Sequence, residues 1–267
     1  MKRQLWLILA FVFIPLFIKA QDGSASPYKT DWLRDGAVVA GSIGATVAGN
    51  ILIENKDRVT ETELAGLRKE DVNSFDRFVA GNYSTRAENT SDYFFYGSFI
   101  APLALLLDND IKQNAPQVYL LYGQVLSIAG GLYSMTAGLT ARKRPYLYTE
   151  DAPIGIRTDK QATNSFYAGH TAATAAATFF LAKVYHDFNP DSPARPFIWA
   201  AAATVPATVA YLRMRAGKHF LSDNLVGYGV GTAIGILVPE LHRKDSRISL
   251  LPESTQLYDG MALVYTF

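Results

Sequence analysis

Six long runs free or nearly free of charge, residues 37–53, 94–107, 117–140, 169–181, 196–212 and 224–239, limit the possible folds of this chain more than any other feature. Each far outlasts an average strand of about 5–6 residues, so the runs read as helices. A helix that is apolar on nearly every side must be buried among neighbours or in lipid. Polar segments carrying Asp, Asn, Pro and Lys separate the runs, as helix ends and turns require. The fold class that follows is all-α. Between the first two runs, Thr60 and Glu63 have the spacing of a capping box, and Leu64, Leu67, Val72, Phe75 and Phe78 mark an apolar stripe. Residues 60–79 therefore read as an amphipathic helix, packed on the others in preference to a membrane surface.

The chain opens Met1-Lys2-Arg3, continues through an apolar core over residues 5–18 and reaches Lys19-Ala20-Gln21. A basic start, a short apolar core and a small residue at the cut are the layout of a secretory signal peptide over residues 1–20. A membrane span needs about 20 apolar residues, more than this core supplies, which favours export over the alternative of an uncleaved anchor. The remaining chain is one domain's worth. Its net charge is +1, and no basic stripe with interleaved aromatics is present, so nucleic acid is not an expected partner. The chain has no Cys, which suits either redox compartment. At the far end, residues 247–251 and 261–267, with Asp259-Gly260 before the second, read as a short β-hairpin.

Three polar clusters stand out against this apolar background. In the last, residues 213–223, Arg213 precedes His219 and Asp223. On a helix, His219 and Asp223 share a face four residues apart, so the carboxylate can hold one ring nitrogen and leave the other as a nucleophile. Taken alone, the same spacing also describes an ion pair on a solvated helix. The first cluster is Arg142-Lys143-Arg144-Pro145, at the end of the third run. The second is Gly169-His170, which opens an Ala-rich run and offers the free N–H groups of a helix start beside an imidazole.

In this order the clusters resemble the type 2 phosphatidic acid phosphatase and vanadium haloperoxidase superfamily. Its marks are Lys, six residues, Arg-Pro; then Pro-Ser-Gly-His; then Ser-Arg, five residues, His, three residues, Asp. The third motif is matched by Arg213, His219 and Asp223, with Leu212 at the Ser position. Gly169 and His170 match the second, with Tyr167 and Ala168 at the Pro and Ser positions. Arg144-Pro145 match the first, with Ala137 at the Lys position. The resemblance implies an antiparallel six-helix bundle of the acid phosphatase and haloperoxidase type, its core over residues 92–241. Residues 21–91 would pack on that core, and residues 242–267 would form a tail.

The resemblance also implies a phosphatase that needs no metal and no cofactor. His219, held by Asp223, attacks phosphorus to give a phosphohistidine. His170 protonates the leaving oxygen and then activates water. Arg144, Arg213 and the Gly169 N–H bind the equatorial oxygens. Arg142, Lys143 and Lys218 lie near enough in sequence to stand in for the cation missing at Ala137. The departures at Ala137 and Ala168 keep open a relative that retains the bundle and has lost efficient chemistry.

His186 and His242 fall outside this set and read as surface residues. The loop 146–167 joins two of the motifs and carries Glu150, Asp151, Arg157, Asp159 and Lys160, so it reads as a solvated specificity element. In a membrane setting the apolar runs beside the site suit a lipid phosphate; a soluble exported form suits small phosphate esters. Six crossings after a cleaved leader would turn the site to the cytoplasm, so either residues 37–53 do not cross or the whole bundle is exported. The implied location is export, either to the cell-envelope membrane with the site facing the periplasm or to the periplasm itself.

Overall fold

The computed structural model describes residues 26–254 and 259–265, and the leader expected at residues 1–20 lies outside them. Among the described residues are six helices of sixteen residues or more. These are α1 Trp32–Glu54, α2 Thr85–Ile100, α3 Ala115–Leu139, α4 Gly169–Phe188, α5 Arg195–Arg215 and α6 Leu221–His242. Strands β1 Ile248–Ser254 and β2 Asp259–Tyr265 pair antiparallel, Ile248 opposite Tyr265.

Local chemistry sets the helix ends. Asp31 caps α1 by accepting from the Leu33 and Arg34 N–H groups. Ser84 caps α2 through the Ala87 N–H, 3.2 Å away, nine residues before the apolar run suggested a start. That helix also ends earlier than expected. Pro102 lacks the N–H an α-helix needs, and residues Ala101–Leu107 continue as a 3-10 helix. The segment 60–79 is not one amphipathic helix. The Thr60–Glu63 capping box forms, but the helix runs only over Glu61–Gly66. Beyond it Asn73 turns the chain by accepting from the Asp76 N–H, and Phe75 and Phe78 point outward.

The Ala-rich α4 lies at the centre, in contact with α2, α3, α5 and α6, while α1 packs on α3. Val118, Leu121 and Val125 of α3 meet Ala176, Phe180 and Val184 of α4 and Ile234 and Val238 of α6 in the main core. The α4–α6 seam has no room for side chains on one side. Gly227, Gly231 and Gly235 of α6 face the backbone carbonyls of Ala168, Ala172 and Ala176, and a Cβ on any of them would collide with a carbonyl oxygen. Small residues four apart let two helices approach backbone to backbone.

Four of the helices, α1, α3, α5 and α6, are long and apolar enough to cross a membrane. These helices support a membrane location. The expectation that residues 37–53 do not cross has no support in composition, since α1 is the most apolar of the four and only 11% of its apolar window is buried. The loop 146–167 is also less solvated than its charges suggested. Tyr146, Leu147, Ala152 and Ala162 close a second small core with Val59 and Leu64.

Candidate active site

Arg213 lies in the last turn of α5, and a Schellman turn follows it. The Lys218 N–H returns to the Arg213 carbonyl, the Gly217 N–H returns to Met214, and Gly217 takes φ +70°. A side chain there would also strike the Asn82 carbonyl, so glycine is required twice over. The turn carries Lys218 and His219 back across the end of the bundle before α6 begins. Its Gly217 carbonyl accepts from the Tyr146 N–H at 3.0 Å, which fastens Arg144-Pro145 alongside. The Ala168 N–H donates to the Asp223 carbonyl at 3.1 Å and brings in the start of α4. Three distant parts of the sequence thus meet at one end of the molecule.

His219 is 1% exposed. Its Nδ1 lies 2.6 Å from the Ser165 carbonyl oxygen, which can only accept, so Nδ1 carries the hydrogen and Nε2 keeps its lone pair. The partner expected from the sequence was Asp223, and the structure corrects this. His219 sits in the extended segment before α6, so the four-residue helical spacing does not apply. Asp223 instead accepts from the Phe220 N–H at 2.8 Å, the Ser165 hydroxyl at 2.6 Å and the Arg142 guanidinium. It holds Ser165, and Ser165 holds His219. Burial, then the Arg144 and Arg213 charges, keep His219 well below the ordinary imidazole range.

Arg144 and Arg213 are 6% and 4% exposed. The Arg144 guanidinium has no hydrogen bond or ion pair to any described residue, and its buried Nε is unpartnered. Its electrostatic neighbours include Arg213, Lys218, Lys56, His170 and His219, all cations or imidazoles. Arg213 also has an unpartnered buried Nε, and its Nη1 reaches Ser91 Oγ at 3.3 Å and Asp92 at 3.5 Å. Two buried guanidinium groups with so little countercharge call for an anion between them. His170, in the first turn of α4, lies beside them, and the N–H groups of Gly169 and His170 have no backbone partner among the described residues.

The other predicted cations have different roles. Arg142 is committed elsewhere: it pairs with Asp76 at 2.6 Å and with Asp223, donates to Ser222 at 2.8 Å, and lies over the Phe220 ring. Lys143 is partly exposed and 3.9 Å from Glu63. Lys218 pairs with Glu88 at 2.7 Å while adding charge near Arg144 and Arg213. At position 137 the surprise is Lys56. It reaches from beyond α1 to donate to the Ala137 and Thr140 carbonyls and to Asn164 at 2.6 Å, which occupies all three ammonium hydrogens. Lys56 thus caps α3 instead of offering a free donor. His186 and His242 are not free surface residues: His186 bonds Arg195 and Trp199, and His242 bonds Asp35 at 3.1 Å.

The site also holds residues that the motifs did not indicate, on one face of α2. Glu88, Ser91, Asp92 and Phe95 recur at three- and four-residue spacing, and each touches a site residue. Their spacing on a helix otherwise apolar toward its end was the available signal.

A family model described as the PAP2 superfamily matches residues 118–247, which hold all three clusters. The chain belongs to the PAP2 superfamily. The crystal structure of a transmembrane PAP2-type phosphatidylglycerolphosphate phosphatase from Bacillus subtilis is similar over 74% of this chain and 93% of that one, with 17% identity and a TM-score of 0.44. No curated protein matches.

Proposed function

We propose that this chain is a phosphatase of lipid phosphate esters that works through a phosphohistidine on His219. The observation that carries the reading is the buried, uncompensated Arg144 beside Arg213, with the free Nε2 of His219 and the His170 ring at the same place. PAP2 membership supports a phosphatase. In the first step the Nε2 lone pair forms a bond to phosphorus, the bond to the leaving oxygen breaks with its electron pair, and His170 gives that oxygen a proton. In the second, water bonds to phosphorus and gives a proton to His170. The N–P bond returns its pair to Nε2, and inorganic phosphate departs. Arg144, Arg213 and the Gly169 N–H hold the equatorial oxygens throughout, where charge spreads in the transition state.

The lipid part of the reading rests on the surroundings. Tyr93, Tyr96, Tyr211, Leu225 and Val226 are exposed apolar or aromatic residues within a turn or two of site residues. Together with four span-length helices, they suit an acyl or prenyl tail entering from the bilayer. The six helices are read as the bundle of the acid phosphatase type, with residues 92–241 as its core, 21–91 packed on it, 242–267 as a tail and 1–20 as a secretory leader. The site is read as facing the periplasm.

The test is His219→Ala in the full chain, purified in detergent and assayed on phosphatidic acid and on a small aryl phosphate. Loss of turnover on both, with the thermal transition kept, is the expected result. Wild-type activity in that variant would overturn the mechanism, and preference for the small ester would overturn the lipid assignment.

A further inference from the structure

The α2 helix brings a carboxylate to the pocket that the reaction just described does not use. Asp92 Oδ1 lies 3.5 Å from His170 Nε2 and 3.5 Å from Arg213 Nη1, so one oxygen bridges the imidazole and the guanidinium. Phe95, three residues on, stacks against the His170 ring at 4.1 Å between centroids with 29° between planes. One residue before Asp92, Ser91 accepts from Arg213 at 3.3 Å. A turn before Asp92, Glu88 holds Lys218. The His170 ring is therefore stacked on Phe95, with its Nε2 turned toward Asp92 at 3.5 Å.

We propose that Asp92 is the positioning residue for His170: it holds Nε2 so that Nδ1 is the nitrogen left to serve the leaving oxygen, and its charge lets the ring carry the proton it donates. The inference rests on the phosphatase reading given above. The charges around His170 make such a partner necessary. Arg213 from α5 and Arg144 from the loop after α3 both oppose a second positive charge, as does His219 when protonated, while the Tyr133 side chain on α3 lies near Arg213. About a third of the His170 side chain is open at the mouth of the site, yet burial of the rest and the two guanidinium groups hold it below the ordinary imidazole value. Asp92 is the carboxylate that acts against them. A bound phosphate would add to it and complete the balance.

A residue that only supported the fold would lower all activities together, whereas a partner of the proton donor acts through the leaving group. Asp92→Asn should cut turnover of a short-chain phosphatidic acid, whose alkoxide must be protonated, by about tenfold to a hundredfold. The kcat/KM for nitrophenyl phosphate, which reports only the first step and whose leaving group needs no proton, should stay within about threefold by the same principle. The alkaline limb of the pH–rate profile should move to lower pH, because the imidazolium has lost its counter-charge, and Asp92→Glu should restore part of both effects. Equal losses on the two esters with an unmoved limb would overturn the proposal. So would no loss at all.

The His170 titration, followed by nitrogen NMR in the full chain and assigned with His170→Gln, gives a readout that does not need turnover. It should fall in Asp92→Asn, and an unchanged titration would also overturn the assignment. If His219→Ala kept wild-type activity, the phosphohistidine mechanism would fail by itself, and the NMR result would still decide the Asp92–His170 pair.

Discussion

Arg142 and Arg144 stand two residues apart in one basic run and have opposite fates. Arg142 is enclosed by Asp76 and Asp223, donates to Ser222 and is neutralised twice over. Arg144 is buried more deeply, finds no carboxylate among the described residues and has Arg213, Lys218 and Lys56 as cationic neighbours. The first is part of the frame. It ties the loop after α3 to the start of α6 through Asp223, which also fixes Ser165 and, through that residue's carbonyl, His219. The second carries a charge that no described side chain answers. Local sequence composition cannot separate the two, because the difference lies in which carboxylates the fold delivers.

The contrast can be broken first at Arg142. Arg142→Ala would leave Asp76 and Asp223 buried without their cation, at a cost of about 3 kcal/mol, the low end for a buried pair because about a quarter of Arg142 is open to water. Thermal or chemical unfolding in detergent would show the loss, and a variant as stable as wild type would mean that the pair is not structural. Arg144→Ala should do the reverse. It removes an unbalanced charge, so the protein should keep or gain stability while kcat/KM falls about a hundredfold, the effect of one or two charge-assisted bonds at the transition state. Inorganic phosphate at about a hundred times its Kd should stabilise the wild type by about 2.7 kcal/mol and leave this variant unaffected. Lys143→Ala, in the same run but partly exposed, is the control and should change stability by less than about 0.5 kcal/mol.

The smallest effect sharpens the same comparison through His219. Its native ring resists protonation because of burial and the Arg144 and Arg213 charges. In the unfolded chain the ring takes a proton near pH 6.5, to within about a unit. The native state then binds fewer protons than the unfolded state below that pH. Stability is complete above it and declines as the pH falls, by about 1.4 kcal/mol per unit at most, until the native ring protonates. Arg144→Ala should make that acid decline shallower. Melting temperatures between pH 7 and 5 measure it, and identical slopes in the two proteins would remove Arg144 from the account of His219.

Much of this arrangement was legible before any coordinates. The uncharged runs gave the helices, because a period-free apolar stretch of that length has few other uses. Arg213, His170, Arg144 and His219 do meet. What escaped was set by contacts between distant segments. The start of α2 is polar because Glu88, Ser91 and Asp92 line the site, so its composition imitates a loop. The four-residue spacing that pairs Asp223 with His219 holds only inside a helix, and the Gly217 turn places the two on different kinds of backbone. Lys56 was invisible at position 137 because the link runs from another element to the end of α3.

The glycine seam between α4 and α6 bears on how such a site can work. Gly227 lies one turn beyond Asp223, and Ala168 directly precedes the segment that carries His170. With the two backbones in van der Waals contact there, His170 at the start of α4 and the start of α6, which directly follows His219, are mounted on what is mechanically a single beam. The opposite wall is joined differently: α2 meets the pocket through side chains, with Glu88–Lys218 at 2.7 Å, Ser91–Arg213 at 3.3 Å and Asp92 at 3.5 Å from His170 and Arg213. Alignment of the reacting groups is then a property of the other two helices.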